Sequence, residues 1–252
     1  MRHRLALVVL VIATAIAIVS AAASPALAGR TRFGWITDTE TLPQRAVELE
    51  SWVLEQDGKG DPATDQTLVW WAPVIGLTDR IELALPVEIA FNRTATTSST
   101  QLLRFGAEVR WRLVDPDPVE AGPFAALLRF AAKRPVTARD VGRFEGELVL
   151  SCDVGPVHIG ADGTAIFDVS TGDGGTAILV RPGVGLSVQA VGELRVGAEI
   201  FAEIQARGTG TSWVAAGPNV AFSHGRSWLS GAFLIGIEHI DLAPRLIWAI
   251  AF

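Results

Sequence analysis

The chain has 252 residues, of which 49% are hydrophobic and only 19% charged, and it carries a net charge of −6. With no Lys/Arg cluster, that balance excludes the basic footprint of a nucleic-acid binder. A single cysteine, Cys152, excludes an intramolecular disulfide and any zinc site built from several cysteines.

The chain opens with the layout of an export signal. Met1-Arg2-His3-Arg4 is basic, Leu5 to Val19 is apolar, and Ala26-Leu27-Ala28 offers a small-residue cleavage site. The apolar run is shorter than the ~20 residues of a membrane-spanning helix. A signal peptide over 1–28 is therefore expected, leaving 29–252 as one domain. No later segment approaches the length of an apolar membrane helix, so a membrane role requires a closed barrel, the other spanning structure that satisfies its own backbone.

Residues beyond 44 read as strand after strand. Period-two alternation marks twelve candidates: 44–56, 66–77, 80–91, 101–114, 123–134, 143–153, 156–169, 176–188, 193–206, 211–223, 227–239 and 244–252. In 80–91 the odd positions Ile81, Leu83, Leu85, Val87, Ile89 and Phe91 are apolar, and Glu82 and Glu88 lie between them. In 101–114 Leu103, Phe105, Val109 and Trp111 oppose Arg104, Glu108, Arg110 and Arg112. In 193–206 Val196, Ile200 and Ile204 oppose Glu199 and Glu203. A helix would scatter these charges around its circumference, so the period decides for strand. The candidate 66–77 is apolar on both faces, and Pro73, Pro86, Pro182 and Pro218 fall inside candidates, so ten strands is the alternative count. Pairing Cys152 with Val157 gives the sixth and seventh candidates a four-residue hairpin loop that keeps their apolar faces together.

The connections mostly alternate between brief turns, such as Thr78-Asp79 and Val154-Gly155, and longer polar loops, as in outer-membrane barrels. The final strand places Leu246, Trp248, Ile250 and Phe252 on one face, with Arg245, Ala249 and Ala251 on the other. The fold class expected is all-β, a closed antiparallel transmembrane β-barrel. Its polar face would line the lumen with Glu82, Glu88, Arg104, Glu108, Arg110, Arg112, Glu145, Glu147, Asp162, Asp168, Arg181, Glu199 and Glu203. A soluble barrel or sandwich with the opposite polarity is the competing fold. The abundance of Gly and Ala on the polar face (Gly183, Gly185, Gly197, Ala215) suits a crowded lumen better than a solvated surface. The assignment predicts that arginine at Val109 is costly and that Glu108→Gln costs much less.

Signal, even strand count, turns and terminal Phe252 together make the chain resemble the small outer-membrane β-barrels of Gram-negative bacteria. The stretch Thr37-Asp38-Thr39-Glu40-Thr41-Leu42-Pro43, with Glu48, Glu50 and Trp52, is similar to uncharacterised barrels labelled as transporters. The resemblance implies residence in outer-membrane lipid, a final strand (Leu246, Trp248, Ile250, Phe252) read by the barrel-assembly machinery, and a passive channel or transporter for small polar solutes. A packed, structural lumen is the alternative, and an outer-membrane lipid hydrolase a remoter one. His224 lies near Ser223, Ser227 and Ser230 but on the presumed periplasmic side, and His158 would fall opposite Ser151. No catalytic residue is assigned, and no metal-ligand spacing or cofactor motif appears.

Overall fold

A computed structural model describes residues 31–60, 64–94, 96–114, 123–172 and 175–252. The expected signal over 1–28 and the whole of the fourth connection, 115–122, lie outside these residues.

Among the described residues, thirteen strands form one antiparallel sheet that closes on itself. They are β1 (Val47–Lys59), β2 (Thr64–Thr78), β3 (Ile81–Ala84), β4 (Val87–Arg93), β5 (Ser98–Val114), β6 (Phe124–Pro135) and β7 (Val141–Val154). There follow β8 (Val157–Ser170), β9 (Thr176–Val191), β10 (Leu194–Arg207), β11 (Trp213–His224), β12 (Ser227–Glu238) and β13 (Leu242–Ala251). Both β3 and β4 pair with β2 on one side and β5 on the other, so they are two halves of one stave. The barrel therefore has twelve staves, and β1 closes it by pairing with both β2 and β13.

The prolines sit where the ladder is interrupted. The third stave, one candidate over 80–91 with Pro86 inside it, splits at Leu85-Pro86, where a residue without an N–H cannot continue the pairing. Pro86 still accepts from the Gly106 N–H at 3.1 Å, and Pro73 from that of Leu85 at 3.1 Å. Pairing between β9 and β10 skips Pro182, and pairing between β11 and β12 skips Pro218.

Two registers differ from expectation. Val154 pairs with Val157 across a two-residue turn, Gly155-Pro156, and Cys152 pairs with Ile159 rather than Val157. The shift is two residues, so the side chains keep their faces. Gly155, Gly192 and Gly225 each open such a turn with positive φ (60°, 54° and 60°), the conformation a two-residue hairpin requires of its first residue. In β5 the pairing slips between Arg104 and Leu102, making a bulge at Leu103. Leu103 consequently packs inward while Leu102 lies exposed, the reverse of a strict alternation through 101–114.

The polarity of the wall decides between the competing folds. The outer surface exposes Trp71, Phe91, Phe105, Trp111, Phe130, Phe144, Ile159, Phe167, Ile200 and many other large apolar side chains, while Glu82, Glu88, Glu108, Glu145, Glu147, Asp162, Glu199 and Glu203 are buried inside. A soluble barrel would reverse this, and an apolar surface of that extent is stable only against lipid.

Candidate functional site: the lumen

Residues 31–42, ahead of β1, do not join the wall, whereas Arg45 and Ala46 exchange backbone hydrogen bonds with Gly76 of β2. Thr41 donates to the Asp79 carbonyl at the end that carries the short turns, and further in Trp35 meets Phe201 of β10 and Trp213 of β11. Phe33, Trp35, Ile36, Asp38 and Leu42 are buried in the lumen. A segment without regular structure must satisfy its backbone with side chains, and the wall supplies carboxylates. Glu199 accepts from the N–H groups of Gly34, Trp35 and Ile36 at 2.6, 2.8 and 3.1 Å. Asp162 accepts from Thr37 N–H at 2.9 Å and Glu82 from Leu42 N–H at 2.5 Å. The Trp35 indole donates to the Ala243 carbonyl at 2.9 Å.

A polar latch holds the segment at its entrance. Asp38 pairs with Arg32 at 2.9 Å and lies 3.3 Å from Nε2 of His158, whose Nδ1 meets Asp153 at 2.8 Å. Burial alone would raise the pKa of Asp38, but the charge of Arg32, with His158 adding to it, holds the carboxyl well below the usual range. Both ring nitrogens of His158 thus face carboxylates, which leaves neither to activate a serine. Ser151 instead shares a 2.7 Å hydrogen bond with Thr39. His224 pairs in register with Ser227 and stacks on Phe222.

The remaining charges form a continuous network along one wall. Glu88 pairs with Arg104 at 2.6 Å and Lys133 at 3.0 Å, and Lys133 pairs with Glu145 at 3.1 Å. Arg129 contacts Glu145 at 3.1 Å, Glu108 at 2.7 Å, and Glu147. Arg110 joins Glu108 to Glu82 and Glu50 at 2.8, 3.1 and 3.0 Å. Further around, Glu203 binds both Arg181 at 2.6 Å and Lys59 at 2.5 Å. Asp168 pairs with Arg143 at 2.6 Å, and Arg112 donates to the Asp79 carbonyl at the turn end.

The thirteen residues assigned to the lumen from sequence therefore divide by task. Glu82, Asp162 and Glu199 bond the inner segment, and Glu82 also joins the network. Arg112 and Asp168 sit towards opposite ends, and the others bridge neighbouring staves. Sequence reading missed Arg129 and Lys133, although both alternate with outward Phe130 on β6 and the period would have found them. It also missed the aromatic side of the lumen. Trp52 and Trp70 stack at 6.0 Å between centroids, Trp35 packs on Phe201 and Trp213, and Ile247, the one apolar exception on its face of the last strand, packs beside Trp228. Leu246, Trp248 and Ile250 of that strand are half-buried, and Phe252 is 73% exposed.

Between the charged wall and the aromatic one lies a cavity of about 160 Å³, lined among others by Trp35, Trp52, Glu88, Arg110, Arg129 and Arg245.

No protein-family model and no curated protein matches the chain. Solved structures do. An outer-membrane channel from Pseudomonas putida F1 matches with TM-score 0.60 and 13% identity, over 85% of this chain and 98% of that one. The β-domain of the Bordetella autotransporter BrkA matches with TM-score 0.53 and 13% identity, over 82% and 99%. The KdgM porin, solved in complex with disordered oligogalacturonate, matches with TM-score 0.50 and 9% identity, over 81% and 99%. At these identities the likeness speaks for fold, and it agrees with the closed wall, the apolar exterior and the charged lumen. In fold, the chain is a closed twelve-stave β-barrel like those of these Gram-negative outer-membrane proteins.

Proposed function

We propose that the protein is a passive outer-membrane channel or transporter for small polar solutes, held closed here by its own residues 31–42. One observation carries this reading. The obstruction of the lumen is a separate stretch of chain, joined to the wall by hydrogen bonds to Glu199, Asp162 and Glu82 rather than by strand pairing. A structural barrel can be filled by side chains of its own wall. Beside this segment remains a cavity walled by paired charges, a surface suited to polar solutes and water. The ion-pair network favours the second reading, a packed lumen with a structural role, because buried pairs fix one geometry.

Conductance in planar bilayers separates the two. The wild-type chain is expected to show rare, small openings. Glu199→Ala, which removes the acceptor of three backbone N–H groups, and a chain lacking residues 31–42 should both open more often and more widely. Silence from all three proteins, each shown to be folded, would leave the packed lumen as the function.

A further inference from the structure

The cations that line the cavity are not equivalent. Arg104, Arg110, Arg129, Lys133 and Arg181 each pair with at least one carboxylate. Among the described residues, Arg245 has no such partner. It projects from β13, with Leu54 of β1 and Ala232 of β12 as its ladder neighbours. Its guanidinium lies 4.7 Å from the centre of the Trp52 ring and 5.5 Å from that of Trp35, and Nη1 donates to the Trp35 carbonyl at 3.3 Å. Its Nε is buried with no hydrogen-bond partner. Glu50 and Glu199 act on it only through space, since Glu50 is engaged by Arg110 and Glu199 by three backbone N–H groups.

A guanidinium removed from water without an anion is an expensive arrangement, and stacking on tryptophan offsets only part of the cost. The planar fork of arginine is shaped for a carboxylate. The surface beside it is flat and aromatic, formed by Trp35, Trp52 and Trp70. The space available, about 160 Å³, fits one small ring, since an apolar cavity of about 150 Å³ takes up benzene. The far wall offers a second negative charge no free cation, because Arg104, Arg110, Arg129 and Lys133 are already paired with Glu88, Glu108, Glu145 and Glu147.

We propose that this cavity is a binding subsite for a small aromatic monocarboxylate, its carboxylate on Arg245 and its ring against the tryptophan wall. The proposal rests on the channel reading for its biological sense, because it names the class of solute that the lumen selects. The binding itself requires no conduction.

The test is a tryptophan-fluorescence titration of the full mature chain, refolded in detergent micelles, with benzoate, benzyl alcohol, acetate and phthalate. Benzoate is expected to bind saturably and about tenfold or more tighter than the other three, the difference made by a charge-assisted pair on an aromatic surface. Arg245→Gln should lower benzoate affinity to the level of benzyl alcohol, and Arg245→Lys should retain part of it. Benzoate binding no tighter than benzyl alcohol in the wild type would overturn the proposal, and that comparison needs no variant to fold. Unchanged benzoate affinity in folded Arg245→Gln would overturn it as well. Benzoate binding to a barrel that never conducts supports the subsite and removes the channel reading, whereas conduction without benzoate binding does the reverse.

Discussion

Glu108 is bonded to both Arg110 and Arg129 and is almost completely buried. The expectation from sequence was that Glu108→Gln would be mild, because an amide still hydrogen-bonds inside a polar lumen. With two guanidiniums on one carboxylate, the amide loses two charge-assisted bonds, and a cost of about 2–3 kcal/mol is expected. Val109, between Leu83 and Phe130 on the outward face, should cost about 2–4 kcal/mol as Val109→Arg. Urea titrations of folding into lipid vesicles would compare them, and a Glu108→Gln loss under about 0.5 kcal/mol would contradict the bridging role, since that is the range of surface changes. Asp38 has a pH consequence of its own. Its carboxyl is held below the ordinary range by Arg32 and His158, so docking of the inner segment gains from the ionised form at any pH above that range. The gain fades only as pH falls through the lowered value. Protonation of His158, which faces Asp38 and Asp153, tightens the latch as pH falls, so protease protection of residues 31–42 should hold or rise from pH 8 to about pH 5 and be weaker throughout in Asp38→Asn. A steep loss of protection between pH 7 and 5 would mean that Asp38 is not what holds the segment.

The wall was legible element by element because a stave has a period. Phe105, Trp111, Phe130 and Ile200 alternate with charge, and the structure puts them outside. The period failed where a bulge inverted it, at Leu103, and where both faces are apolar, in β2, whose Trp70 and Val74 prove to be lumenal. It said nothing of the inner segment, since a chain bonded through its backbone N–H groups to distant carboxylates has no repeat to read. One trace of it did show in the sequence, as the glycines of the polar face. A Cβ on Gly185 would sit 2.7 Å from both Phe33 and Ile36, and one on Gly160 only 2.5 Å from Phe33. These glycines form a groove in β8 and β9 for the segment, and Gly34 lets its backbone approach Ala232 of β12 equally closely. Gly185→Val should therefore displace the segment and leave the barrel intact, because valine is a good strand residue. The expected result is normal heat-modifiable migration on gels, with residues 31–42 newly open to protease and larger conductance. Retained protection would show that the groove is not a steric requirement.

At the scale of the whole barrel, closure depends on β13, which pairs with β12 on one side and β1 on the other. Its last residue adds little to that closure. The Phe252 N–H donates to the Val47 carbonyl at 2.9 Å, but its ring is 73% exposed on the protein surface. Removing Phe252 thus deletes one backbone bond at the seam and leaves the ladder from Ala251 to Leu242 in place. Complete burial of such a ring would contribute at most about 3 kcal/mol, and here most of that is unavailable from protein contacts. The proposed reading of the final strand by the assembly machinery makes a different demand, because a recognition signal is lost outright. The two scales of effect can be pulled apart by deleting Phe252 and following the chain in two settings. Refolding of the purified protein into lipid vesicles should proceed to nearly the wild-type extent, with a stability loss of about 1 kcal/mol, as for one hydrogen bond. In Gram-negative cells the same chain should accumulate unassembled and be degraded, with little heat-modifiable barrel recovered from outer membranes. Equal defects in both settings would assign Phe252 to stability alone. Normal assembly in cells would remove the final aromatic residue from any role as a signal, and with it one of the features that linked this chain to outer-membrane barrels.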